Sequence, residues 1–180
     1  MSFSELVNQR RSCRAFLEKP VDRDKIIRCL EAARVAPSAC NSQPWRFVVV
    51  DDPAKLAEVP PLLQSEPFRL NHFTNQAPVF IVVVEEPANL ASKFGGRFKD
   101  QEYAAIDIGL AVENLCLAAT EQGLGTCIIG WFAEKKLRRL LEIPAERRVR
   151  LVIALGYPAE VPIAPKARKT ADKVYTFNKY

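Results

Sequence analysis

The 180-residue chain is long enough for one domain with its own core, and its 48% hydrophobic and 26% charged residues are the composition of a globular protein. Its net charge of +5 comes from 26 basic residues scattered among 21 acidic ones, without the aromatic-basic interleaving of a nucleic-acid surface. No run of about 18 uncharged apolar residues occurs, so no membrane span is expected, and Met1-Ser2-Phe3-Ser4-Glu5-Leu6 does not read as a secretory leader.

The elements follow from patterning. Ser4 to Arg11 reads as a short helix with Leu6, Val7 and Phe3 on its apolar face. Asp22 is a candidate N-cap for a helix from Lys25 to Val35, with Ile26, Ile27, Leu30 and Ala33 inward, and Pro37 ends it. The polar turn 38–44 leads into a β-branched strand, Arg46 to Val50. A helix is expected from Asp52-Pro53 to about Leu63, irregular chain over 64–77, and a buried strand from Pro78 to Val84. Residues 85–100, with Gly95-Gly96, read as a loop. Glu102 to Gln122 is the longest helix, apolar around most of its circumference and stopped by Gly123-Leu124-Gly125. A short strand, Thr126 to Ile129, a helix, Glu134 to Leu141, and a strand, Val149 to Leu155, complete the pattern. The tail from Val161 is polar until Val174-Tyr175-Thr176-Phe177, a candidate strand for a neighbour's sheet. The whole chain, 1–180, reads as a single domain of mixed α/β or α+β class.

Several chemistries find no support. Cys13, Cys29, Cys40, Cys116 and Cys127 are odd in number and form no CxxC pair, so neither a metal site nor a disulfide framework is expected; free thiols suit the cytoplasm. His72, the only histidine, has no nucleophile elbow to serve and reads as structural or surface. Gly123, Gly125 and Gly130 lack dinucleotide-fingerprint spacing. Two basic clusters remain, Arg10-Arg11-Ser12-Cys13-Arg14 and Lys166-Ala167-Arg168-Lys169, whose guanidinium forks and hydroxyl suit a phosphate.

Three segments acquire meaning together. They are Arg10-Arg11-Ser12-Cys13-Arg14-Ala15-Phe16, the run Ala33-Arg34-Val35-Ala36-Pro37-Ser38-Ala39-Cys40-Asn41-Ser42-Gln43-Pro44-Trp45-Arg46-Phe47, and Gly123-Leu124-Gly125-Thr126-Cys127-Ile128-Ile129-Gly130-Trp131-Phe132. In this order and spacing the chain resembles the FMN-dependent nitroreductase family from about residue 4 to Arg168. The resemblance implies an α+β fold, a central and mostly antiparallel sheet flanked by helices, and a domain-swapped homodimer with FMN at the subunit interface. It implies that Arg10, Arg11, Ser12 and Arg14 meet the FMN phosphate and ribityl chain, and that Lys166 and Arg168 close on the phosphate. Pro37, Ser38, Ala39, Cys40 and Asn41 would come from the partner subunit to line the isoalloxazine. Ile129 and Gly130 would lie along its other side, a backbone N–H near flavin N5.

FMN reduced by NADH or NADPH, then reoxidised by a nitroaromatic, quinone or other small acceptor, is the implied activity, and it needs no catalytic side chain. The alternatives are a specialised member acting on one metabolite and a flavin-binding sensor without turnover. The short excursion over 85–100 implies an open site, with Phe94, Phe98, Tyr103 and Trp131 as candidate pocket aromatics and core packing as the equal alternative for each.

Overall fold

The computed structural model describes residues 1–160 and 165–180; Val161, where the tail begins, lies outside the described residues, as do the side chains of Lys93, Phe94 and Arg97. Four strands form one sheet: β1 (Trp45–Val50), β2 (Val79–Glu85), β3 (Gly125–Ile129) and β4 (Arg148–Gly156), in the order β1-β2-β4-β3. Every neighbouring pair is antiparallel, in the registers Trp45↔Glu85, Val79↔Leu155 and Gly125↔Gly156. The α+β fold with a central antiparallel sheet is therefore present.

Period-two alternation along β2 explains why its run is apolar throughout. Val79, Ile81 and Val83 face one layer of helices, and Phe80, Val82 and Val84 face the other. The first layer holds α2 (Arg23–Arg34) and α6 (Tyr103–Glu121), which bury Ile26, Cys29, Ala33, Ile108, Val112 and Leu115. The second holds α3 (Pro53–Glu58), α4 (Pro60–Leu63) and α7 (Glu134–Leu140), with Val59, Leu63 and Leu137 inward.

Helix ends follow local chemistry. α1 (Phe3–Gln9) starts at a capping box in which the Glu5 N–H donates to Ser2 Oγ and the Ser2 N–H to the Glu5 carboxylate. It stops two residues earlier than its sequence suggests, and Phe3 and Val7 are exposed instead of core. Ile27 likewise faces solvent, because the inward stripe of α2 runs through Ile26, Cys29 and Ala33. Asp22 occupies the N-cap position of α2 without a side-chain cap hydrogen bond. The helix expected over 52–63 is split at Pro60, and Asp52 caps its first half through the N–H groups of Ala54 and Lys55.

α6 ends in a Schellman motif: Gly123 at φ 74° gives its N–H to Thr120, and Leu124 gives its own to Ala119. By length and composition α6 is the one described helix that would cross a bilayer, but it is the helix on which α2 and the sheet pack.

The largest departure lies between β2 and α6. Residues expected as a loop contain α5 (Leu90–Lys99), capped by Asn89, whose side chain accepts the Ser92 N–H at 2.9 Å. Gly96 is there for close approach: a Cβ would lie 2.7 Å from the Gln101 carbonyl oxygen and 3.4 Å from the Tyr103 ring. The glycine pair that signals a break in sequence is the flat surface against which the next turn closes. Val174 to Phe177 form no strand within the chain; a 3-10 turn at Ala171–Lys173 precedes them, and Val174, Tyr175 and Phe177 are exposed.

Candidate functional site

The segment after α1 docks on the first residues of β3. The Cys13 N–H donates to the Thr126 carbonyl at 2.8 Å, and Ser12 bridges Thr126 in parallel. Gly125 permits this, since a Cβ there would lie 2.7 Å from Cys13 Cβ and 2.8 Å from its Sγ. The docking opens a notch of about 450 Å³, lined by Arg11, Ser12, Arg14, Gly125, Pro158 and their neighbours.

Cations gather beside it. Arg10 closes α1 with its N–H on the Leu6 carbonyl and sets its guanidinium 3.4 Å from the Glu113 carboxylate. Among the described residues its buried Nε has no hydrogen-bond partner, while the same guanidinium acts on the Cys116 thiol. Lys166 comes from the far end of the chain, and its Nζ donates to the Val7 carbonyl at 2.8 Å. Loss of solvent, and then the charges of Arg168, Arg11 and Arg10, push Lys166 below the ordinary lysine range, with Glu113 opposing. The two basic clusters of the sequence thus meet in one place. Their surplus positive charge fits the phosphate of a cofactor such as FMN.

The segment Pro37 to Asn41 lies elsewhere. None of its residues lines the notch. It is a tight loop with a 3-10 turn, Ala39–Asn41, and its backbone is left-handed at Cys40 (φ 53°), Asn41 (φ 50°) and Gln43 (φ 47°). None of the three is glycine, so each costs about 1 kcal/mol or more, least for Asn41. Hydrogen bonds hold this shape. The Gln43 N–H donates to Ser38 Oγ at 2.9 Å, and Gln43 Nε2 to Asn41 Oδ1 at 3.1 Å. The Ala39 N–H meets both carboxylate oxygens of Asp107 at 3.1 Å. Asn89 Nδ2 donates to the Cys40 carbonyl, and the Asn89 N–H to Ser42 Oγ, each at 2.9 Å.

Asp107 and Asn89 escape sequence reading. The available signal for Asp107 was an acid sharing the stripe of Ala111 and Leu115, four and eight residues on, in an otherwise apolar helix.

Ile129 ends β3, roughly 13 Å along the strand from Gly125 at about 3.3 Å per residue, and Gly130 follows it. The Ile129 side chain is sealed in the core, so only its backbone is offered, whereas Gly130 is open. Beside them the exposed rings of Trp131 and Phe68 meet edge to face at 5.4 Å, and Asn71 Nδ2 reaches the Trp131 carbonyl. Of the other candidate aromatics, Phe98 is exposed and Tyr103 packs on Gly95 and Gly96, while the Phe94 side chain lies outside the described residues.

A second cleft of about 400 Å³ lies at the opposite end of the sheet. A bulge between Val83 and Val84 leaves Arg150 out of the ladder, and it pairs there with Glu85 while Arg147 pairs with Glu86 at 3.0 Å. Its arginines and glutamates neutralise one another, unlike the notch.

An antiparallel sheet buried on both faces, with a cationic notch at one end, defines an α+β protein equipped to hold an anionic ligand. The chain belongs to the nitroreductase family, whose model matches residues 7–157. It is 34% identical over 160 residues to a protein of Archaeoglobus fulgidus provisionally named NADH dehydrogenase/NAD(P)H nitroreductase, covering 87% of this chain and 85% of that one. A nitroreductase family protein of Streptococcus pneumoniae superposes with a TM-score of 0.83 at 31% identity, covering 97% and 99% of the two chains. An FMN-dependent nitroreductase of Clostridium difficile gives 0.77 at 28%, covering 97% and 98%. A relative named 5,6-dimethylbenzimidazole synthase, from Rhodospirillum rubrum, is 29% identical over 183 residues, covering 91% and 85%.

Proposed function

We propose that this chain binds FMN and, as a homodimer, passes electrons from NADH or NADPH to a small organic acceptor such as a nitroaromatic or quinone. The observation that carries the reading is the convergence of Arg10, Arg11 and Arg168 on Lys166. The FMN-dependent relative supports the choice of anion. When bound, FMN supplies the redox chemistry, taking hydride from the nicotinamide and returning electrons to the acceptor.

The residues here bind and orient. Arg10, Arg11, Lys166 and Arg168 hold the phosphate. Ser12 and Arg14 follow the ribityl chain, and Arg14 adds positive charge toward the ring. Ile129 and Gly130 offer backbone along one side of the ring. Pro37, Ser38, Ala39, Cys40 and Asn41 cover the other from the second copy. Their separation from the notch of their own chain supports that assignment, as do the exposed Ile106 and Leu110 on α6. Five free cysteines suit action in the cytoplasm.

The test is an absorbance titration of FMN-loaded protein under anaerobic conditions with NADH and with NADPH, followed by menadione or nitrofurazone. Bleaching of the flavin band and its return on adding acceptor are expected. Protein that takes up no FMN would overturn the cofactor assignment. Bound flavin that neither nicotinamide reduces would leave a sensor instead of an enzyme. A second reading, a specialised enzyme for one metabolite, is favoured by the similarity to the dimethylbenzimidazole synthase; it predicts slow turnover with every generic acceptor.

A further inference from the structure

Asp107 is the one buried acid of α6, and its neighbours on the same face, Ile108, Ala111 and Val112, are core. A carboxylate with about four acceptor positions would be costly there unless it held something that mattered. Among the described residues it holds the backbone N–H of Ala39, shared between both oxygens. From the other side Asn89 grips the same loop twice, at the Cys40 carbonyl and at Ser42 Oγ, while its own Oδ1 caps α5. Two left-handed residues, Cys40 and Asn41, lie within the gripped stretch Ala39–Ser42, and a third, Gln43, follows it; none is glycine. Such backbone persists only where its surroundings over-determine it.

We propose that Asp107 and Asn89 are positioning residues: together they fix the strained Cys40–Asn41 backbone that the loop presents to the flavin ring. This rests on the FMN reading above. Neither side chain touches the cofactor in this proposal. Asp107 fixes the start of the turn through Ala39, and Asn89 fixes its crest through Cys40. The phosphate grip of Arg10 and Lys166 is on other elements, so anchoring the cofactor and shaping its ring pocket are separable tasks.

Three variants test this: Asp107→Ala, Asp107→Asn and Asn89→Ala. Asp107→Asn keeps an oxygen for the Ala39 N–H, and Asn89 is exposed, so Asn89→Ala guards against a core variant that fails to fold. In FMN-loaded protein, Asp107→Ala and Asn89→Ala are expected to change FMN affinity by less than about threefold, the phosphate grip being intact. They should shift the flavin visible band and midpoint potential and slow reduction by NADH or NADPH about tenfold. Asp107→Asn should restore much of the rate.

Amide hydrogen exchange over residues 38–43 in flavin-free protein is measured in parallel. Exchange there should quicken in Asp107→Ala and Asn89→Ala. Unchanged exchange overturns the grip itself. Faster exchange with unaltered band, potential and reduction rate overturns the positioning role. Should the unaltered protein bind no FMN, the functional reading fails, and the exchange result still decides whether the two side chains hold the loop.

Discussion

Lys166 Nζ donates to the Val7 carbonyl at 2.8 Å, joining residues 159 apart in sequence at the C-terminal end of α1. That carbonyl is among the last four of its helix and lacks an intrahelical partner, so a lysine there satisfies it and complements the negative helix end. The same ammonium sits among Arg10, Arg11 and Arg168. The tail is thereby fastened where positive charge is already in excess.

The first prediction concerns this cluster. Lys166→Ala and Arg168→Ala should each weaken FMN binding by roughly tenfold or more, the scale of one charge-assisted hydrogen bond. Fluorescence titration of FMN measures it; unchanged affinity in both would remove the phosphate assignment. The sign with pH follows from the lowered lysine pKa. Between that lowered value and the ordinary 10.5, the flavin-free fold binds fewer protons than the unfolded chain, so this group's contribution to stability rises with pH. Phosphate binding favours the charged form, so FMN affinity should fall as pH climbs through the same window.

Gly125→Ala is predicted to destabilise the protein and loosen cofactor binding together. The added Cβ would meet Cys13 Cβ at 2.7 Å, and a backbone-proximal atom cannot swing away as a side-chain tip can. Overpacking of this kind costs about 1–3 kcal/mol. Thermal unfolding and FMN titration on one preparation are the measurement. Cys13→Gly in the variant should recover part of the loss; no recovery would place the strain elsewhere.

β2 announces itself in the sequence as an unbroken apolar run because both of its faces are buried, and α6 because helices and sheet surround it. The order and spacing of three segments, the first basic cluster, the polar turn with its strand, and the glycine-rich run after α6, carried the resemblance to the family. The meeting of Lys166 with Val7 was not legible, since nothing local records a partner 159 residues away. α5 was misread because Gly95-Gly96 carries the same letters whether it breaks a helix or admits Tyr103 against it. Asp107 was passed over because its role depends on a loop 68 residues earlier that folds beneath it.

Burial makes the cysteines an alkaline weak point. It pushes the Cys29 thiol up to about 11, with the Gln122 hydrogen bond opposing, and it raises Cys13, Cys116 and Cys127 in the same direction. A raised thiol pKa means that the fold keeps a proton the unfolded chain loses near 9, so stability falls as pH rises from about 9 to 11. For Cys29 a shift of that size corresponds to about 2–3 kcal/mol. Urea unfolding at pH 8 and pH 10.5 should show a loss that Cys29→Ala reduces. An unchanged pH dependence in Cys29→Ala would place the titration on the other thiols. Thiol-reagent kinetics at pH 8 should show Cys29 and Cys116 modified only on unfolding, and Cys40, exposed in the single chain, modified faster without FMN than with it.

The assembly prediction rests on α6. Ile106 and Leu110 lie one turn apart and are 52% and 45% exposed, on a helix whose stripe through Ile108, Ala111, Val112 and Leu115 is packed in the core. Apolar side chains paired on an exposed helix face are suited to a second copy. In the homodimer reading that copy brings its own Pro37 to Asn41 segment to the flavin ring. Ile106→Glu and Leu110→Glu together should leave the monomer fold and its far-ultraviolet circular dichroism unchanged, because neither side chain supports the core. They should convert dimer to monomer in sedimentation velocity. Flavin reduction by NADH or NADPH should fall with the dimer fraction, since the ring then lacks its second wall, while the phosphate cluster in each chain keeps residual FMN affinity. A monomeric variant that reduces its flavin at the original rate would show that each chain completes its own site. An intact dimer would show that the interface lies on another face.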